Sequence, residues 1–223
     1  AISSNASPVY FNSLAKGSSL DQQFDSNEKS YATTLSYGIG GSYLITDRIS
    51  IKTGINNINL SYNTNDVLFR NSLSTTNNNI KALSRNENSE TMVFSAPNSK
   101  NDIGDVVILL SEKTGTLKQD LSYIEVPLEL SYKILDKKFG IEVIGGMSTL
   151  FLNNNTVSLV TDGMEMNVGK ANNLNNIHFS SNVGLGFKYS FWKNFNANFQ
   201  PMFKYQINTF SENSGNFKPY FIG

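Results

Sequence analysis

Charged side chains recur in this chain at alternate positions of otherwise apolar runs. In LSYIEVPLELSYKIL (121–135), Glu125, Glu129 and Lys133 share one phase. Glu142 follows in FGIEVIGGMSTLFL (139–152), Lys188 in IHFSSNVGLGFKYSF (177–191), Lys204 in FNANFQPMFKYQINTF (195–210), and Lys52 in ISIKTGINNINLSY (49–62). Paired carboxylates could exchange protons with a substrate. The plainer chemistry is an ion network plugging a narrow interior, where any unpaired charge would be costly, and that is the role expected of these seven residues. His178 is the only histidine. With Ser180 and Ser181 close by it holds part of an acyl-transfer set, yet its phase turns it inward and no G-x-S-x-G occurs. No catalytic residue is expected. One histidine and no cysteine also remove thiol chemistry, disulfides and the usual zinc donors, so neither a metal site nor a cofactor is expected. TNDVL (64–68) and KNDIGD (100–105) carry oxygen donors without the spacing of a calcium loop. The glycines of GIGG (38–41), GG (145–146) and GLG (184–186) lie mid-strand with no helix following, so they do not form a phosphate loop. Close strand packing and room for large neighbours explain them.

The elements that must position these groups are strands. YATTLSYGIGGSYLI (31–45) alternates Tyr, Leu and Ile against Ala, Ser and Gly, a period of two. The five runs that carry the charges, all longer than twelve residues, repeat it. In 49–62 the apolar phase changes between Ile55 and Ile58, which predicts a bulge near Asn56–Asn57. The connections TDR (46–48), DKK (136–138) and WKN (192–194) are tight, and they alternate with long polar segments at 12–30, 63–120 and 152–176 and a shorter one at 211–217. That rhythm predicts antiparallel hairpins with every tight turn at one end. Residues 1–11 and 218–223 read as incomplete first and last strands, bringing the total to eight. The whole chain, 1–223, reads as one domain whose 63–120 segment is a long outer loop. Within it VVILL (106–110) could extend a hairpin, and the stretch 70–90 reads as poorly ordered.

Composition bears on which side of the strands faces solvent. Lys+Arg and Asp+Glu balance at 18 each, so no field favours nucleic acid, and no nucleic-acid partner is expected. No apolar run approaches the ~20 residues of a spanning helix. The chain opens on AISSN and reads as a mature or trimmed fragment. The interior of an eight-stranded ring barely accommodates its own side chains. A face bearing Phe195, Phe199, Phe203 and Tyr205 beside Phe179, Phe187, Tyr189 and Phe191 would overfill it. The apolar face therefore points outward and needs lipid. The expected fold is all-β: an eight-stranded antiparallel up-and-down transmembrane β-barrel with short periplasmic turns and long outer loops. Tyr31, Tyr43, Tyr132, Phe139, Phe179, Tyr189, Phe191, Trp192 and Phe195 fall near strand ends, as membrane-interface aromatics do.

On ASPVYFNSL, SYGIGGSYLITDRISIKTGI, LSYIEVPLELSYKI, NVGLGFKYSFWKNF and a closing F-x-P-x-F-K-Y, the chain resembles the small outer-membrane β-barrel proteins of Bacteroidota, the PorT-like or OmpA/OmpX-like barrels. The resemblance covers nearly everything except the long loop. It implies a bacterial outer-membrane location, with the bilayer and its lipopolysaccharide leaflet as surroundings and other envelope proteins as partners. The role expected from it is a non-enzymatic anchor, scaffold or accessory subunit of assembly or secretion machinery. A surface ligand-binding or adhesin-type barrel is the alternative, and a lipid-modifying enzyme a more distant one.

Overall fold

The computed structural model describes residues 2–71, 80–97, 112–192, 195–212 and 216–223. Thirteen strands are present among them, all joined in one antiparallel sheet. In chain order these are β1 (Ile2–Ser13), β2 (Lys29–Tyr31), β3 (Thr33–Leu44), β4 (Ile49–Asn71), β5 (Leu83–Arg85), β6 (Met92–Ser95), β7 (Lys113–Asp136), β8 (Phe139–Thr161), β9 (Met164–Ala171), β10 (Ile177–Trp192), β11 (Phe195–Phe199), β12 (Met202–Ile207) and β13 (Pro219–Ile222). Eight of them close a ring in the order β1, β3, β4, β7, β8, β10, β12, β13 and back to β1. The links β3–β4, β7–β8 and β10–β11 are short and share one end. In the first, Ile45 donates its N–H to Ile49 O (2.9 Å), while Thr46 Oγ1 accepts from the Arg48 and Ile49 amides (3.3 and 3.0 Å). The half of the ring next to these turns is called proximal below, and the other half distal.

The bulge expected at Asn56–Asn57 is absent. The β4 register runs unbroken through these residues against both neighbours, from Leu44↔Ser50 to Tyr37↔Asn57 on β3 and from Ile49↔Tyr132 to Thr64↔Leu117 on β7. Even-numbered residues face inward as far as Thr64: Ser50 is buried proximally, and Ile58, Leu60, Tyr62 and Thr64 distally. The strand keeps its phase, and the chemistry of its two sides exchanges instead. Proximally, Ile51 and Ile55 point outward past inward Lys52 and Gly54. Distally, apolar residues are inside, and Asn57, Asn59, Ser61 and Asn63 face out. The first irregularity comes later, between Thr64 and Val67, where Asp66 adopts φ 55°.

The flanks of the segment 63–120, expected to be loop, are strand. β4 and β7 stay paired as far as Phe69↔Lys113. The 152–176 segment likewise contains the end of β8 and all of β9, joined across Asp162-Gly163, both at positive φ. This is the backbone that a two-residue Asp-Gly hairpin turn requires. β6 adds to β4 and β5 to β9. Of the stretch expected to be poorly ordered, residues 72–79 lie outside the described residues, and beyond them Ile80 and Leu83 are fully buried with Phe24, Phe94, Leu117 and Leu159 in an apolar core of their own. The 106–110 segment lies outside the described residues. A second core fills the distal ring, where Phe11, Tyr62 and Phe217 stack at centroid distances of 5.4 to 6.2 Å, among Ile58, Leu60, Leu121 and Leu150.

Candidate functional site

The charged candidates meet inside the proximal ring. Glu125 on β7 and Lys204 on β12 are three strands apart around the ring, so their ion pair crosses the interior. Their residue exposures are 1% and 9%. Asn56 donates to the other Glu125 oxygen at 2.9 Å, and Asn5 donates to Asn56 at 3.2 Å. The Lys204 ammonium also lies 5.7 Å from the Phe221 ring centroid. Lys52 on β4 reaches across β7 to Glu142 on β8, which also accepts from Gln200 at 3.0 Å. Glu129 accepts from Asn182 at 3.1 Å, and Asn182 in turn bonds Ser148 and Ser180. Each buried charge thus has an opposite charge or an amide donor, the condition on which a buried ion persists.

Glycines make the room. A Cβ on Gly186 would stand 2.4 Å from Glu142 Cγ, and one on Gly38 would stand 2.1 Å from Asn56 Oδ1. Either side chain would displace the group that now carries the network.

Two of the seven charges go elsewhere. Lys133 and Lys188 both turn to Asp136, at 2.9 and 3.7 Å, beside the tight turn where Asp136 is 44% exposed. At that rim water competes with the carboxylates deeper in, and a solvated partner is nearer. The amides that complete the interior network, Asn56, Asn182 and Gln200, share the phase of the charges. That shared phase is the signal in the sequence that points to them.

His178 is fully buried and meets Tyr123 edge-on, ring centroids 4.9 Å apart. Neither imidazole nitrogen has a hydrogen-bond partner, and the neighbouring Ser180 hydroxyl is spent on Asn182 at 2.7 Å. The set His178, Ser180, Ser181 is therefore not assembled as nucleophile and base. In TNDVL the Asn65 and Asp66 carbonyls accept from Asn27, at 2.7 and 3.0 Å. KNDIGD lies outside the described residues. No group of three or more His, Asp or Glu side chains that could hold a metal occurs among the described residues.

Of the aromatics read as interfacial, Tyr43, Tyr132, Phe139, Phe179, Tyr189 and Phe191 stand exposed on the outside of the ring, Tyr43 most at 73%. Tyr31 does not. It sits opposite Tyr62, whereas the β3 register would have set it opposite Asn63. A one-residue slip at Ala32 moves a side chain to the other face, and Tyr31 packs inward on Phe11 and Tyr62 at 5.8 and 6.1 Å. The side chains of Trp192 and Phe195 lie outside the described residues. No protein-family model matches the chain, and no curated protein is similar to it.

Proposed function

We propose that the ring is a transmembrane β-barrel of a bacterial outer membrane, of the kind found as small barrels in Bacteroidota, serving as a non-enzymatic anchor, scaffold or accessory subunit of a larger envelope complex. The observation that carries this reading is the exchange of sides between the halves of the ring. Proximally, Ile39, Ile55, Leu128, Leu130 and Val183 point outward, each at least half exposed, while Glu, Lys, Asn and Ser fill the interior. A continuous apolar belt around a polar, ion-paired interior is stable where lipid surrounds it and costly in water. Twelve residues, as in β3, tilted by about 40°, span roughly 30 Å, the thickness of such a belt. Distally the sides revert to the arrangement of a protein in water. The filled interior supports an anchor rather than a pore, because the cross-ring ion pairs occupy the path a solute would take.

The test is extraction. The protein should leave membranes only with detergent, migrate on gels in a heat-dependent manner, and bring stoichiometric partners when solubilised mildly. A soluble, monodisperse protein without detergent would overturn the membrane reading. A second reading places function in the distal module, as a surface ligand-binding or adhesin-type structure, and it is favoured by that module's own buried core. Replacing residues 72–79 with a short glycine-serine linker, with the barrel still formed, separates the two. Binding lost with that segment belongs to the surface reading, and partner recovery retained without it belongs to the anchor reading.

A further inference from the structure

The slip at Ala32 that turns Tyr31 inward also parts the wall of the ring. The ladder between β1 and β3 ends at Tyr10↔Thr33. Beyond it β1 stays paired with β13 through Asn12↔Tyr220, while β2 pairs with β4, Tyr31 opposite Tyr62. Among the described residues no backbone pairing joins Phe11, Asn12 and Ser13 to β2. A cleft of about 310 Å³ opens there, lined by Tyr10, Phe11, Asn12, Tyr31, Thr33 and Tyr220 together with Ala32 and Ile222. Tyr10, Asn12 and Thr33 are exposed, so it opens on the outside of the ring.

The lining has the chemistry of a ligand site: aromatic and apolar walls with a few polar groups among them. The tyrosine and threonine hydroxyls can both donate and accept. The Asn12 side-chain oxygen accepts from the Ser13 amide at 2.7 Å, so its NH₂ is the group it offers the cleft. No lining residue is charged, which suits a neutral hydroxylated group and not a phosphate, for which Arg or Lys is the usual partner. The cleft also lies at a boundary. Thr33 shares its outward phase with Leu35, Tyr37 and Ile39, which lead into the apolar belt, whereas the outward residues of β4 from Asn57 onward are polar. Unpaired backbone is tolerated only where polar groups reach it, and at this level hydrocarbon must give way to headgroups.

We propose that this cleft seats the neutral, sugar-like headgroup of a membrane lipid. Its hydroxyls bond the tyrosines, Asn12 and Thr33, and its chains lie proximally over Leu35, Tyr37 and Ile39. The inference rests on the membrane reading, and its test separates the two. The protein is purified in a zwitterionic detergent and returned to phosphatidylcholine vesicles holding equal amounts of monoglucosyl diacylglycerol, diacylglycerol and phosphatidylglycerol. Native mass spectrometry should find the glucosyl lipid retained above the other two. Asn12→Leu with Tyr220→Phe should lower that retention roughly tenfold, and the exposed Thr33→Val alone roughly threefold. Tyr43→Phe, the same loss of a hydroxyl elsewhere on the outside, should leave it unchanged. Heat-dependent migration retained in each variant shows that the barrel has formed. Equal retention of the three lipids, or undiminished retention in the cleft variants, would overturn the site while the barrel stands. Methyl glucoside competing as well as the glucosyl lipid would overturn the lipid source in favour of a soluble sugar. A protein monodisperse without detergent overturns the membrane reading itself.

Discussion

The two halves of β4, β7 and β8 obey the same geometry and opposite chemistry. On β7, Leu128 and Glu129 point outward and inward respectively in the proximal half, and Lys118 and Leu117 do so in the distal half. Alternation fixes which residues share a face. It does not say which face is the core, and that depends on the medium. The proximal half hides its charges in one another and shows its hydrocarbon, while the distal half does the reverse; β4 and β7 keep their phase at the crossing, and β8 changes phase at the irregularity opposite Ser122 and Tyr123.

The comparison can be broken from either side. The largest effect is expected inside the proximal half. Lys204→Met leaves Glu125 buried and uncompensated and should cost about 3–5 kcal/mol of unfolding free energy in lipid vesicles, most of it restored by adding Glu125→Gln. A cost no greater in the single than in the double substitution would show that the pair is solvated. Next comes the distal core, where Leu117→Ala should cost about 2–5 kcal/mol. Its signature is faster proteolysis of the distal strands with heat-dependent migration unchanged. Outward positions sharpen the contrast: Leu128→Arg in a bilayer should cost about 2–4 kcal/mol, while Asn59→Arg stays within about 0.5. Equal costs would mean both surfaces face the same solvent.

The smallest effect is electrostatic. The hydrogen bond that Lys118 donates to Asp120, followed by the one it donates to Glu165, raises the Lys118 pKa above its ordinary 10.5. A raised pKa contributes stability that is present below 10.5 and is lost as pH climbs through the higher folded value. These side chains are partly exposed, so the contribution is at most about 1 kcal/mol. Alkaline unfolding of the distal strands, followed by hydrogen exchange, should lose this dependence in Lys118→Met.

Most of the proximal half can be read from sequence, because long clean alternation in 33–44, 121–135 and 177–191 leaves one strand phase available. The distal half is harder for three physical reasons. Ile58, Leu60 and Tyr62 continue the inward phase of Lys52, and a change of chemistry on a fixed phase looks like a bulge. In 113–120 the inward positions are Gly115, Leu117 and Gln119, too few aliphatics to announce a strand. Irregularities between Ser122 and Tyr123 and between Val157 and Ser158 break the alternation where β8 meets its neighbours. Tyr31 fails for a related reason, since nothing in SYATT signals a slip of one residue. Of the ion network, its members are legible from phase, whereas the turning of Lys133 and Lys188 toward Asp136 depends on where the rim becomes wet.

β7 runs for 24 residues without a break in the chain's extended path, roughly 80 Å at about 3.3 Å per residue. It is hydrogen-bonded to β4 and β8 on its two sides along nearly all of that length. Such a ribbon has no hinge at which a pull on its far end could be absorbed. A force applied to the distal module would arrive at the proximal ring as shear along the strands, loading many ladder bonds at once rather than peeling them one by one. The molecule is therefore stiff along the direction of β7 itself, as a mast is along its own length.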